Sequence, residues 1–300
     1  MSESLSDLLA PQDLAPTLAR VSPDSIRARR AWRTLLVLFA WQAVSGVILM
    51  WPLETFVRRS LATLPDGDAG LFSRDGLLLT SLTMKPTWDA LVITQLVLGL
   101  GLLWIVGRFV FAMLVGSLSF ARRDASHART IDLVPVAFGA FWPSVTICIL
   151  ANILKGLLLL LGFLIGTSAS SISTRYGDAA GDQAMLFVVA FFALGALLVG
   201  VLEDGALCAV VRWRMRALDA FGAAFRAVRN RPLELLWAWG WRTAASLALL
   251  ALGAEVATQL GGKTGTALLT LALCHQAIVA ARLLLRAAWL SKALRVLRVR

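Results

Sequence analysis

Histidine and cysteine are scarce in this sequence, at two and three in 300 residues. His127 and His275 stand too far apart for a helical zinc motif such as H-E-x-x-H. Cys148, Cys208 and Cys274 each lie inside an apolar run, and their number is odd. That pattern excludes a disulfide scaffold and a zinc-ligand spacing, and leaves small apolar residues in helices. No P-loop occurs. "GTSAS" at 166–170 lacks the G-x-S-x-G order of a nucleophile elbow, with no base near it. The glycines of "GLGLLWIVG" at 99–107 read as helix packing positions rather than a nucleotide loop. Asp66, Asp68 and Asp75 in "LPDGDAGLFSRDG" lack the Glu that closes a calcium loop, and read as a solvated turn. A cleavable leader is also missing: the first apolar run begins near Thr34, after a polar stretch, and no small-residue cleavage site follows it. "SESLSDLLAPQDLAP" reads instead as a cytoplasmic arm with a short helix at the bilayer surface. The expectation is therefore no metal, no cofactor and no catalytic residue.

What is abundant is apolar residue. The chain is 58% hydrophobic, with a mean hydropathy of +0.76, above the roughly 45–50% apolar content of soluble domains. About 20 apolar residues of helix cross a bilayer core. Six segments qualify: 34–53, 90–115, 135–166, 184–211, 233–254 and 264–290. The third is long enough to tilt or to begin as an interfacial helix. Short alternating β-barrel strands are excluded. The expected fold is all-α: a polytopic membrane protein with six transmembrane helices and interfacial amphipathic helices on the cytoplasmic side. Residues 1–33 form a cytoplasmic N-terminal arm, 34–290 the membrane domain and 291–300 a basic tail.

The net charge of +11 suits an anionic inner leaflet better than nucleic acid, because the basic residues cluster beside the apolar segments. Five lie in the N-terminal arm, three in 116–134, six in 212–232 and five at the end (Arg286, Lys292, Arg295, Arg298, Arg300). Those 19 oppose six in the other three loops, so both termini are expected in the cytoplasm, with the protein in the inner membrane. Trp32, Trp213, Trp237 and Trp289 read as anchors at the inner boundary, and Trp51 and Trp88 at the outer.

The 212–232 loop contains an amphipathic pattern. Leu218, Phe221, Phe225 and Val228 are spaced 3, 4 and 3 on one helical face, with Arg226 and Arg229 off it and Pro232 as a breaker. This predicts a helix on the inner surface, its apolar face against lipid or against the spans. "IDLVPVAF" at 131–138 matches "LDAFGAAF" at 218–225 at an offset of 87, and Lys155 matches Arg242 at the same offset. The match reads either as a duplicated span-loop-span unit or as coincidence.

The run "LEDGALCAVVRWRMRALDAFGAAFRAVRNRPLELLWAW" (202–239), with "GAFWPSVTICIL" (139–150) and "AARLLLRAAWL" (280–290), resembles uncharacterised multi-span bacterial inner-membrane proteins. It is more distantly similar to the membrane domain attached to some glycerophosphodiester phosphodiesterases. The resemblance implies topology and supplies no catalytic residue.

Glu203 and Asp204 stand side by side inside an apolar run. At 1.5 Å per residue, Asp204 lies about 12 Å inside the inner boundary, as do Arg108, Arg242 and Arg282 to within about 3 Å. Burying unpaired charge at such depth costs roughly 2.5–3.5 kcal/mol per group, so the five are expected to form one charge layer. Arg286 shares a face with Arg282. Lys155 is placed nearer the outer end of its span, with its amine reaching outward. Three function classes follow. The first is a non-enzymatic scaffold or accessory subunit of a membrane complex, with a protein partner or a second copy of itself. The alternative is a transporter or lipid-handling protein using the layer as an anion or headgroup site. A membrane-embedded enzyme ranks third. A hydrated cavity at Asp204 would favour the second class, and a dry, fully paired layer the first.

Overall fold

The computed structural model describes residues 18–61, 83–85, 87–99, 101, 105–122, 128–168, 177–260 and 265–297. The arm segment 2–16, the aspartates at 66–75, His127 and the last two residues of "GTSAS" lie outside them. The described chain is helical, with eight α-helices. They are α1 (Trp32–Leu61), α2 (Trp88–Gly99), α3 (Gly107–Ser119), α4 (Val134–Thr167), α5 (Asp178–Trp213), α6 (Ala217–Asn230), α7 (Pro232–Leu260) and α8 (Thr266–Val296). Five of these, α1, α4, α5, α7 and α8, are long and apolar enough to cross a membrane.

Across the second expected span, 90–115, the described residues form α2 and α3, each too short alone to span. The backbone at 101 and 105–106 is π-helical. Glycine disfavours helix by about 1 kcal/mol relative to alanine, and Gly99, Gly101 and Gly107 bracket the break. A Cβ on Gly99 or Gly101 would meet nothing within 4 Å. No described neighbour therefore requires a glycine at either position. Gly162 of α4 is the opposite case: a Cβ there would come within 2.8 Å of Phe192 on α5. Small residues allow this approach in lipid, where packing holds helices together.

One end of the bundle is closed. Leu18–Arg20 (β1) pairs antiparallel with Phe120–Arg122 (β2), Leu18 opposite Arg122. Val21 N–H donates to Ser119 O at 2.9 Å, and the buried Arg212 of α5 donates to Val21 O at 2.8 Å. Leu18, Val21 and Ile26 share a buried cluster with α3, α5 and the last turns of α8, through Leu297. The described part of the arm, from Leu18, thus lies between helix ends, and α1 packs beside α3 and α8. Every residue from Glu203 to Arg212 is buried, as is every residue from Val110 to Ser119. A helix apolar on all sides needs cover on all sides. Beyond this zone the bundle opens, and Leu186, Phe187 and Phe191 of α5 face outward. An apolar surface on this scale requires lipid rather than water.

Candidate functional site

Glu203 and Asp204 lie on the central helix α5, both buried. Neighbouring positions on a helix point about 100° apart, so each carboxylate faces different elements. Glu203 Oε1 is 3.0 Å from Arg108 Nη1 on α3, and its Oε2 is 2.5 Å from Lys155 Nζ on α4. Asp204 Oδ1 accepts from Arg286 Nη2 of α8 at 2.8 Å, and Oδ2 from the indole N–H of Trp289 at 2.9 Å. The two acids therefore connect α5 to three other helices, with both oxygens of each in use.

The expected layer of five is rearranged. Arg108 meets Glu203, but Arg286, one turn beyond Arg282, is the arginine at Asp204. Lys155 does not reach outward; it turns to Glu203, whose carboxylate accepts its hydrogen bond. Trp289 is buried on Asp204 instead of anchoring an interface, since its N–H finds an acceptor inside. Trp32, Trp51 and Trp237 are exposed. The sequence signal for the missed partners was present: Arg286 and Trp289 are three apart, one helical face.

Arg242 and Arg282 form no ion pair among the described residues. Arg242 donates to Ala238 O at 2.5 Å and stacks over Trp241 at 4.6 Å, while its Nε, though buried, has no hydrogen-bond partner. Arg282 donates to Ser246 Oγ on α7 at 2.8 Å. Both side chains line a cavity of about 440 Å³ between α1, α4, α5, α7 and α8. Lys155, Glu203, Asp204 and Arg286 line it too. Its walls thus hold four cations and two carboxylates, and the carboxylates are already occupied. An excess of donors around a concave space is a receptor for negative charge.

Helix α6 docks on the bundle through its small residues. Ala220, Ala223 and Ala224 are buried, and a Cβ on Gly205 of α5 would lie 3.1 Å from Ala224 Cβ. Phe221 and Val228 pack at the edge of the core. Leu218 is 74% and Phe225 57% exposed, beside the exposed Arg226 and Arg229. Small side chains permit the close approach that large ones would prevent, so the large apolar residues are left facing out. The two segments matched at an offset of 87 differ in form. The first runs unbroken through Pro143 inside α4, whereas the second ends at Asn230, before Pro232 opens α7.

Cys148 and Cys208 are buried thiols, and Cys274 is half-buried. Among the described residues, no three His, Cys, Asp or Glu side chains gather into a group able to hold a metal.

Five long apolar helices make this a membrane-embedded, multi-pass helical protein. Comparison with family models, curated proteins and solved structures finds no match to the chain.

Proposed function

We propose that this protein is a multi-pass protein of the bacterial inner membrane that takes an anion, free or as a lipid headgroup, into the cavity bounded by α1, α4, α5, α7 and α8. The observation that carries this reading is the uncompensated pair Arg242 and Arg282 on the wall of a 440 Å³ space, beside carboxylates that already have partners. A layer built only for packing would leave no room and no spare charge. The bacterial assignment rests on the resemblance of 202–239 to multi-span bacterial proteins. The chain passes six times, with residues 88–119 supplying an interrupted second crossing. Pairing of β1 with β2 supports an even number of crossings between them, since it returns the chain to the end where it began. The basic excess of the linking loops puts that end in the cytoplasm. There α6 lies at the interface with Leu218 and Phe225 toward lipid.

The test is anion-dependent stabilisation of the purified protein in detergent. Glycerol phosphate or an anionic lipid at 100 times its dissociation constant should stabilise the fold by about 2.7 kcal/mol. The double variant Arg242→Gln, Arg282→Gln should lose that response while still folding. If neither compound raises the thermal midpoint of the wild type, the anion-site reading fails. A scaffold or accessory role is the second reading, favoured by the exposed Leu218 and Phe225 on α6. A protein crosslinked specifically at Phe225 would support it.

A further inference from the structure

A second cavity adjoins the first. It is about 450 Å³, lies between α1 and α8, and shares Gln42 and Val279 with the charged cavity. Its α1 wall is Ala43, Gly46, Val47, Met50 and Trp51, ending at Glu54. Glu54 is held by Arg58 one turn on, at 2.5 Å. Gln42 to Glu54 is 12 residues, or about 18 Å of helix at 1.5 Å per residue. The two cavities share two lining residues, so charged receptor and groove are continuous, and the groove runs along α1 from mid-helix to Glu54.

Resting on the anion-site reading above, we infer that the ligand is an anionic diacyl phospholipid. Its phosphate is held by Arg242 and Arg282, and one acyl chain lies in the groove between α1 and α8. A free anion would use the first cavity and leave the second without purpose. A zwitterionic lipid fits poorly, because its ammonium would meet Lys155, Arg242, Arg282 and Arg286 and find both acids already engaged. Guanidinium groups suit phosphate oxygens, which they contact through paired N–H donors. Arg242 and Arg282 line the cavity and form no ion pair among the described residues, so their charge is available to such a contact.

Gly46 offers a substitution that separates the two parts of the inference. It lies inside α1 and lines the groove, and a Cβ there meets nothing within 4 Å, so a larger side chain is directed into the groove. The experiment is native mass spectrometry of the full-length protein in detergent, titrated with phosphatidylglycerol, phosphatidylethanolamine and chain-free glycerol phosphate. Wild type should prefer phosphatidylglycerol to phosphatidylethanolamine by roughly tenfold or more, the worth of one charged hydrogen bond. Gly46→Trp should weaken phosphatidylglycerol about tenfold and leave glycerol phosphate unchanged. Met50→Trp, lower in the same groove, should repeat this if Gly46→Trp folds poorly. Arg242→Gln with Arg282→Gln should weaken both compounds. If the groove variants bind phosphatidylglycerol like wild type while the arginine variant loses it, the acyl groove is wrong and the anion site stands. If the arginine variant binds all three compounds unchanged, both readings fall. Equal binding of the two lipids by wild type overturns the anionic preference.

Discussion

Trp289 donates its indole N–H to Asp204 across 2.9 Å, joining α8 to the central helix α5. The bond is buried, whereas the second donor on the same carboxylate, Arg286, has a side chain 48% exposed. Losing Asp204 therefore affects its two partners unequally.

Asp204→Ala should destabilise the protein by roughly 1–3 kcal/mol, the cost of a buried donor left unsatisfied at Trp289. Arg286 can rehydrate and adds little. Asp204→Asn keeps an acceptor and should cost less. Thermal midpoints in detergent, with Trp289→Phe and the double variant, complete a cycle. Additive losses would mean that the two side chains are not coupled.

Glu203→Ala should be more damaging than Asp204→Ala. It strands two cations, Arg108 and Lys155, with side chains only 19% and 27% exposed. Breaking a buried pair costs roughly 3–5 kcal/mol. Adding Lys155→Met to Glu203→Ala should recover part of the loss, and the same melts would show it. No recovery would remove Lys155 as a structural partner.

Ala224 and Phe225 are adjacent on α6 but should behave in opposite ways. Ala224→Leu overpacks the contact with Gly205 and should cost roughly 1–3 kcal/mol, with faster proteolysis after Arg226 in inverted vesicles. Phe225→Ser should change the detergent midpoint by no more than about 0.5 kcal/mol, as for surface positions. It should still reduce crosslinking of α6 to lipid.

Ile26 is fully buried in the arm that plugs the closed end. Ile26→Ala should lower stability by roughly 2–5 kcal/mol, as for other large-to-small core changes. Unfolding followed by tryptophan fluorescence would measure it. A neutral outcome would mean that the arm is dispensable to the bundle.

Cysteines at Ala179 and Arg229, with Cys274 replaced by Ser, should label from opposite faces. In intact cells an impermeant maleimide should reach Ala179→Cys and not Arg229→Cys. Labelling of both from one face would overturn the six-crossing topology.

Five long apolar helices were legible in composition alone, because lipid exposure demands unbroken hydrophobicity wherever a helix crosses. The interrupted second segment was less so. Its hydropathy continues through 90–115, and only the glycines at 99, 101 and 107 hint at the break. The 3-4-3 spacing correctly placed a helix at 217–230. It left open whether the large apolar residues meet lipid or the spans, since periodicity marks those residues while the contact with α5 is made by alanines.

By itself, then, the sequence determined that the protein is helical, lies in a membrane and carries charge inside its apolar helices, since each follows from residue type and spacing along one helix. Only the tertiary structure decided which cation meets which acid. Arg282 and Arg286 are one turn apart at similar depth, and the rotation of α8 against α5 brings the second to Asp204 and leaves the first on the cavity wall. Helix rotation is set by packing between faces distant in the chain, such as Gly162 against Phe192, and no spacing within a single segment encodes it.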